Sequence, residues 1–378
     1  MQIEQSSWSA DTGWIPAVPG EHGADAQLVL VFGSRRLLEA GTELARVRAA
    51  YPNAYMTGCS TAGEICGDHV LDDTLVVTAF SFERSTARGV SVQLDEASSS
   101  SEAGELLARK VPDHDHLKHV IVFSDGLHVN GSELVRGITR ALPPHVTVTG
   151  GLSADGPRFE ATSVVVDGVA SSRVIVAVGF YGELRIGYGS LGGWDPFGPY
   201  RRVTRSAGNV LYQLDGQSAL ALYKRYLGEQ ARGLPGSALL FPLCVRTVDA
   251  KLGVVRTILS VNETEDSMTF AGDIPEGASA QLMKANFDRL IDGAVGAAKV
   301  STGALGNTPE CALLISCVGR KMVLQQRIEE EIEGVRDVVG AATVLTGFYS
   351  YGEISPFTPT ARCELHNQTM TITTLSER

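Results

Sequence analysis

The segment Gly347–Pro356, with the sequence GFYSYGEISP, decides the fold because the chain leads up to a loop of this kind three times. An apolar run, Ala312–Cys317, comes first, followed by a charged segment, Lys321–Val335, and a second apolar run that ends at Thr346. A strand, a helix and a second strand in this order form a βαβ-like unit. The glycine-rich loop begins where the second strand ends.

The same order of segments occurs twice in the N-terminal half of the chain. Leu28–Phe32 leads through a helical pattern to Gly58–Ile65 (GCSTAGEI), and Val120–Phe123 leads in the same way to Gly150–Gly156 (GGLSADG). The intervals from the first strand to the first loop glycine are similar in all three cases. Such self-similarity indicates that one unit is reused along the chain.

Short β-rich runs follow the first two loops. Leu75–Phe82 and Gly89–Leu94 are separated by only a short polar turn, which favours antiparallel pairing. We therefore predict an α/β fold with two domains. Their mixed sheets are built from repeated βαβ-like units, each of which ends in a glycine-rich loop.

A change of composition marks the predicted domain boundary. Gly192–Pro199 is dense in glycine and proline, and Gln217–Gly228 has the pattern of an amphipathic helix with a glycine at its end. We predict a leader with little regular structure over residues 1–26, a first domain over residues 27–216 and a second over residues 217–378.

The composition is that of a soluble globular protein of 378 residues, with 44% hydrophobic and 20% charged residues. A net charge of −11 argues against nucleic-acid binding, which needs a basic face. Charged residues interrupt the most apolar stretch, Val164–Tyr181, so no membrane span is expected, and the N-terminus lacks the pattern of a signal peptide. The six cysteines form no CxxC pair, so we expect reduced thiols in the cytoplasm.

Two glutamates occupy similar positions in the first and third loops. The motifs are Ser60-x-x-Gly63-Glu64-Ile65 and Ser350-x-Gly352-Glu353-Ile354, one residue out of step. Glu64 and Glu353 could face one pocket and act as a general acid and base. The favoured alternative is that each carboxylate braces its own glycine loop.

Two weaker motifs favour structural interpretations. The letters Gly187-x-Gly189-x-x-Gly192 match a dinucleotide fingerprint, but a proline-rich turn follows where that site requires a helix. His114, His116 and His119 have spacing that a metal site could use, and a solvated loop is the favoured interpretation.

His366 lies in Cys363–Met370 (CELHNQTM), beside an alternating β pattern. The default interpretation is a hydrogen-bonded core or edge histidine. As an axial heme ligand it would need an open apolar slot. The side chains that could help to line such a slot are Met283, Met322, Phe348 and Tyr349.

Taken together and in this order, the motifs resemble the FIST family. They are GCSTAGEI, GGLSADG, GWDPFG at Gly193–Gly198, LYQLDG at Leu211–Gly216, SCVGRK, GFYSYGEISP and ELHNQTM. The resemblance covers nearly the whole chain from about residue 27 and includes both the FIST N-type and the FIST C-type domains.

The resemblance implies a sensory role in signal transduction, with a small ligand such as an amino acid. It implies a partner signalling protein, either a histidine kinase or a cyclic-di-GMP enzyme. One branch of the family, the NosP proteins, binds heme and senses nitric oxide. Heme is therefore a predicted cofactor, with His366 as its predicted axial ligand.

We hypothesise that the glycine loops line a ligand pocket within or between the two domains. The residues predicted to contact the ligand are Ser60, Thr61, Glu64, Ser153, Tyr349, Ser350 and Glu353. The alternative to a heme-based nitric oxide sensor is an amino-acid or metabolite sensor without heme. Two hypotheses from different classes are an enzyme that uses a loop glutamate with Ser60, and an interaction scaffold.

Overall fold

Three mixed sheets and one antiparallel sheet are seen in a computed structural model that describes residues 1–16, 23–248, 253–357 and 361–377. Each mixed sheet contains the two parallel strands of one βαβ unit: Leu28–Gly33 with Tyr55–Ser60, Leu117–Ser124 with Thr147–Leu152, and Cys311–Cys317 with Val344–Ser350. The predicted α/β class with repeated units and mixed sheets is therefore confirmed.

Unit one spans residues 1–110. Its strands are β1 (Gln2–Ser9), β2 (Gly13–Ile15), β3 (Leu28–Gly33), β4 (Tyr55–Ser60), β5 (Glu64–Cys66), β6 (His69–Leu71), β7 (Leu75–Ser81) and β8 (Ser85–Gln93). Its helices are α1 (Arg35–Ala40), α2 (Thr42–Ala50) and α3 (Ser100–Lys110). The side chain of Ser99 caps α3 by accepting a hydrogen bond from the amide of Glu102.

Unit two spans residues 117–191. Its strands are β9 (Leu117–Ser124), β10 (Thr147–Leu152), β11 (Val164–Val166), β12 (Val169–Ser171), β13 (Val174–Gly182) and β14 (Arg185–Leu191). Its helix is α4 (Gly131–Ala141), capped by Asn130. Helix α4 buries Leu134, Val135 and Ile138, which lie at helical spacing and so share one face.

An antiparallel sheet is inserted between units two and three, and we call it the inserted sheet. Its strands are β15 (Asp195–Ala207), β16 (Val210–Leu214), β17 (Gln217–Ser218), β18 (Leu243–Arg246), β19 (Val254–Arg256), β20 (Ile258–Asn262), β21 (Ser267–Phe270) and β22 (Ser279–Lys284). Helix α5 (Ala219–Leu227) packs its apolar face on this sheet and contributes Leu220 and Tyr223 to a separate hydrophobic core.

Unit three completes the described chain. Its helices are α6 (Phe287–Leu305), α7 (Val318–Leu324) and α8 (Ile328–Val339), and its strands are β23 (Cys311–Cys317), β24 (Val344–Ser350), β25 (Gly352–Pro356), β26 (Cys363–His366) and β27 (Met370–Ser376). Strand β23 is buried along its whole length, as its continuous apolar sequence predicts.

The three units exchange hairpins in a cycle. The hairpin β5–β6 of unit one pairs with β24 of unit three, β11–β12 of unit two pairs with β4 of unit one, and β25–β26 of unit three pairs with β10 of unit two. Two single strands also join a neighbouring sheet: β8 of unit one pairs with β13 of unit two, and β14 of unit two pairs with β27 of unit three. The two predicted domains are therefore interlocked by shared sheets, since β5, β6 and β14 lie in the sheet of unit three.

The prediction that residues 1–26 lack regular structure is wrong for residues 1–16. Strand β1 pairs antiparallel with β7 from Gln2 to Trp8, and β2 pairs with β1. The pairing fills an edge of the first sheet that would otherwise be open, and local composition does not reveal such tertiary pairing. The part of the predicted leader at residues 17–22 lies outside the described residues.

The glycines of the dinucleotide-like motif serve helix packing. Gly187 and Gly189 lie in β14, and a Cβ at these positions would stand 2.0 Å and 2.4 Å from the carbonyl oxygens of Ser301 and Ala297 in α6. Only glycine lets α6 lie this close to the sheet, so the motif has a structural explanation.

Candidate functional site

The three glycine loops meet at the centre of the three units. Their backbones are joined in a cycle by three hydrogen bonds, from Ala154 N to Ser60 O (2.8 Å), from Ala62 N to Tyr349 O (2.8 Å) and from Tyr351 N to Leu152 O (3.3 Å). Beneath them Phe32, Phe123 and Phe348 pack against one another, with ring centroids 4.8 to 6.1 Å apart. The loops are therefore a shared structural centre.

Strand register shows which loop residues correspond. Gly58, Gly150 and Gly347 are equivalent, because each is the fourth residue of its own strand and stands at the fourth pair of the parallel ladder. Counting from these glycines, Thr61, Ser153 and Ser350 occupy one position. Ser350 thus corresponds to Thr61 rather than to Ser60, which accounts for the one-residue offset between the sequence motifs.

Glu64 is fully enclosed and braces the first loop. Its carboxylate accepts hydrogen bonds from the hydroxyl of Thr61 and from both the amide (3.2 Å) and the hydroxyl (2.6 Å) of Thr74. Burial raises the pKa of Glu64 to about 7, against the opposing effect of these donors.

Glu353 repeats the arrangement in the third loop. It accepts hydrogen bonds from the hydroxyl of Ser350 (2.6 Å) and from the amide and hydroxyl of Thr369 (3.1 and 2.9 Å). Burial raises its pKa to about 8. The contacts of Glu64 and Glu353 are those of the bracing interpretation, and both carboxylates are engaged and closed to solvent.

The other predicted ligand residues lie in the same centre and are also enclosed. Ser60 Oγ accepts a hydrogen bond from the amide of Ser163 (2.9 Å), and the Tyr349 hydroxyl donates to Glu331 (2.7 Å). Ser153 differs, because its buried hydroxyl has no hydrogen-bond partner in the described part of the chain. The structure brings the seven predicted residues together, and their contact with a ligand stays a prediction.

His366 is the last residue of β26, and it is buried. Its Nε2 lies 2.7 Å from the carbonyl oxygen of Ser355, its ring packs edge-on against Phe357 with centroids 4.2 Å apart, and burial lowers its pKa to about 4. Its Nδ1 has no hydrogen-bond partner among the described residues.

The residues predicted to line a heme slot are divided among three hydrophobic clusters, and only Met322 and Tyr349 share one. Phe348 belongs to the aromatic centre, Met283 packs with Trp194 in another cluster, and Tyr349 lies in the main core. These residues therefore do not form the open apolar slot that a heme bound by His366 would need. Heme binding itself stays a prediction from the family resemblance.

The histidine-rich segment does not form a metal site. Over the described ranges, no group of three or more His, Cys, Asp or Glu side chains is placed to hold a metal ion. His119 instead lies between the hydroxyls of Thr147 and Thr149 (2.6 and 2.8 Å).

A cleft of about 1030 Å³ separates unit two from the inserted sheet. Its lining residues come from the exposed side of α4, from β18 and β19, and from the start of β10 together with β26. Small-molecule sites typically measure about 300 to 1,000 Å³. The cleft is therefore large enough for a metabolite.

The cleft is rich in positive charge although the chain carries a net charge of −11. The charged side chains that line it are Arg136, Arg140, Arg256, Arg362, Asp273 and Glu364. Arg140 also contacts Glu105 outside the cleft (3.2 Å). Valines and prolines are about half of the uncharged lining residues, as is usual for a ligand site with a few orienting polar groups.

Arg256 is the most deeply buried cation of the cleft, with 6% of its surface exposed. It donates hydrogen bonds to the carbonyl oxygens of Leu365 (2.8 Å) and Asp273 (3.3 Å) and to the hydroxyl of Ser132 (3.2 Å). Burial lowers its pKa. Glu364 and Asp273 act on it electrostatically, but neither forms a salt bridge with it in the described part of the chain.

None of the cleft arginines was among the predicted site residues. The sequence does contain a signal for Arg256, which is a lone cation inside the apolar run VVRTILSV. A charge within a strand pattern is costly to bury and for that reason is often functional. Arg136 and Asp273 carry no comparable signal, because they are ordinary charges of a helix surface and a turn.

These features define an α/β protein of interlocked repeats with a cationic, metabolite-sized cleft between its domains. The chain belongs to the FIST family: the FIST N domain matches residues 27–217 and the FIST C domain matches residues 219–356. FIST domains are sensory, signal-transduction domains. Among the described helices, none has the length and apolar character needed to cross a bilayer.

Similar proteins add little about the ligand. The chain is 26% identical over 262 residues to an uncharacterised protein of Methanocaldococcus jannaschii, and the match covers 62% of this chain and 49% of the relative. The chain thus matches about half the length of this relative.

Two solved structures are remotely similar. A cyanuric acid hydrolase matches over 99% of both chains at 10% identity and a TM-score of 0.31. The cyanuric acid hydrolase of A. caulinodans matches over 78% of this chain and 99% of its own at 11% identity and a TM-score of 0.19. At these scores neither likeness bears on the fold or the function.

Proposed function

We propose that this protein is a small-ligand sensor whose ligand binds in the cleft between unit two and the inserted sheet. The observation that carries the proposal is the cleft itself, about 1030 Å³ in volume and lined by several arginines in an otherwise acidic chain. An amino acid or another metabolite fits the size and polarity of this site, and no heme is required.

A route for the signal runs from the cleft to the glycine loops. Thr257, which follows Arg256, donates its amide hydrogen bond to the side chain of Asn367 (3.1 Å), and Asn367 donates to the carbonyl oxygen of Tyr351 in the third loop (3.1 Å). Tyr351 in turn bonds to Asp155 of the second loop. A ligand that moves β19 would therefore act on two loops through contiguous hydrogen bonds.

The liganded state is read by a partner signalling protein in this proposal. The family resemblance points to a histidine kinase or a cyclic-di-GMP enzyme as that partner, and to the cytoplasm as the location. Activity of such an enzyme, measured with the sensor added and with ligand present or absent, tests this part of the proposal.

A thermal-shift screen of carboxylates, phosphates, amino acids and neutral metabolites tests the site. A ligand at a hundredfold excess over its Kd stabilises the folded chain by about 2.7 kcal/mol, so its melting temperature rises measurably. Thr139→Trp places a large ring in the cleft from the exposed face of α4 and should abolish the rise.

Asp292→Trp is the matched control, because Asp292 is exposed on α6 and does not line the cleft. The proposal expects this variant to respond to the ligand as the unmodified chain does. A ligand that stabilises the Thr139→Trp variant equally well would place its site elsewhere, and a screen without any hit would count against a small-ligand sensor.

A further inference from the structure

The carboxylate of Asp273 is an anion of the protein itself, and Asp273 lines the cleft. The carboxylate of Asp273 lies 2.5 Å from the guanidinium of Arg136 and 2.6 Å from the side-chain Nδ2 of Asn130, the capping residue of α4. Arg256 holds the backbone carbonyl of the same aspartate (3.3 Å). Asp273 follows β21, so these contacts join the inserted sheet to unit two.

Arg256 has N–H donors that its hydrogen bonds with the protein do not use. A guanidinium has five N–H bonds, and Arg256 makes three hydrogen bonds, to Leu365, Asp273 and Ser132. Two N–H bonds remain on this cation, which lines the cleft; Glu364 and Asp273 act on it electrostatically, but neither carboxylate forms a salt bridge with it in the described part of the chain. Buried cations are normally paired with an anion, and an incoming anion can accept the N–H bonds that Arg256 leaves unused.

Arg136 can change partners at little cost to the fold. Its side chain is half exposed and its ion pair with Asp273 lies at the cleft surface, with 20% of the aspartate side chain exposed. Exposed ion pairs contribute little to stability. An incoming anion that contacts both arginines can therefore compete with the Asp273 carboxylate.

We propose that the cleft binds a small molecule through an anionic group, a carboxylate or a phosphate, which takes the place of the Asp273 carboxylate beside Arg136 and Arg256. The proposal rests on the proposed function, since it uses the same cleft. Both anions suit the planar donors of arginine. Displacement of the Asp273 carboxylate breaks its side-chain contacts with Arg136 and Asn130, which removes one of the links between the inserted sheet and unit two.

Isothermal titration of the full chain with three probes tests this proposal. The probes are glutarate, inorganic phosphate and glutaramide, which is a neutral analogue of glutarate. Arg136→Gln and Arg256→Lys should each weaken binding of the anionic probe about tenfold, since each removes a charge-assisted hydrogen bond. Glutaramide should not bind, and the tighter of the two anions identifies the ligand chemistry.

Asp273→Asn gives the sharper result, because it removes the competing charge and keeps an oxygen for Asn130. Binding of the anionic probe should become about threefold tighter, whereas a variant that merely loosens the cleft would weaken it. Arg84→Gln is the control for net charge, since Arg84 is exposed, pairs with Glu183 and lies away from the cleft. It should leave binding unchanged. If Arg256→Lys fails to fold, Arg136→Gln and Asp273→Asn carry the test.

Three outcomes would overturn the anion proposal. Binding that is indifferent to Arg136→Gln and Asp273→Asn, or equal for glutaramide, refutes it and leaves the cleft as a site if Thr139→Trp still blocks binding. Anion binding that survives Thr139→Trp is adventitious. If neither anion binds, the proposal fails, and hits among neutral compounds in the thermal-shift screen show whether the sensor function survives.

Discussion

The carboxylate of Glu353 is held by Thr369 through two hydrogen bonds, one from the amide (3.1 Å) and one from the hydroxyl (2.9 Å). Glu64 has the same relationship with Thr74 in the first unit. Thr74 and Thr369 immediately precede β7 and β27, so the start of each of these strands is tied to a glycine loop. This repeated contact explains why the sequence carries a glutamate in both loops without requiring catalysis.

These two glutamates make stability depend on pH. Burial raises the pKa of Glu353 from 4.5 to about 8 and that of Glu64 to about 7. Between these values and 4.5 the folded chain binds more protons than the unfolded chain, so the free energy of unfolding falls as the pH rises. This contribution is complete below about pH 4.5 and is lost by about pH 8.

Glu353→Gln should remove much of this decline, because glutamine resembles the protonated acid. We expect the variant to be more stable than the unmodified chain at pH 8 by about 2 kcal/mol, since one pKa unit corresponds to about 1.4 kcal/mol. Urea unfolding at pH 5 and pH 8 measures the effect. Glu333→Gln, at an exposed position of α8, should keep the original dependence. If the free energy of unfolding of Glu353→Gln falls equally between pH 5 and pH 8, Glu353 is not the source of the pH dependence.

Gly347→Ala should destabilise the chain strongly. A Cβ at Gly347 would lie 1.8 Å from the carbonyl oxygen of Leu314 in the parallel strand β23, and relief of such a clash costs on the order of 3 kcal/mol. The control is Gly303→Ala in α6, where no atom lies within 4 Å of the added carbon. That change should add about 0.5–1 kcal/mol of helix stability. Equal melting temperatures for the two variants would refute the close approach.

The buried pair Arg320–Glu331 should be intolerant of a change to one partner. Both side chains are fully buried and lie 2.6 Å apart, and Glu331 also accepts the hydroxyl of Tyr349. Glu331→Gln leaves the cation without a charge partner and should cost about 3–5 kcal/mol. Glu330→Gln, which breaks the exposed pair with Arg327 on the same helix, should cost much less. Similar losses in the two variants, measured by chemical denaturation, would contradict this account.

The sequence predicts what is local in this fold. The runs at β3, β9 and β23 are continuous and apolar because both faces of these strands are buried. The loop glycines can be recognised in the sequence because no other residue fits beside the carbonyl oxygens of Val31, Val122 and Leu314. Repetition of these two features is enough to predict the class of fold and the three units.

Features that depend on distant pairing are not predictable from local sequence. The apolar spacing of Ala280–Ala298 predicts one helix, whereas Ser279–Lys284 forms β22 and the helix begins at Phe287. Pairing of β22 with β15 and β18 overrides its local propensity. The hairpin exchange and the cleft arise in the same way, from elements far apart in the chain, so no local pattern indicates Arg136 or Asp273.

The packing of His366 leads to a prediction about heme. Because its ring is 1% exposed and packed against Phe357, we expect that His366 does not serve as an axial ligand. The measurement is the absorption spectrum of the chain expressed with heme supplied, reduced anaerobically, before and after nitric oxide. If the unmodified chain shows a stoichiometric Soret band, that band should survive His366→Ala. Loss of that band with the circular dichroism unchanged would instead establish His366 as the ligand, and the absence of a band in the unmodified chain would remove the heme prediction together with its ligand.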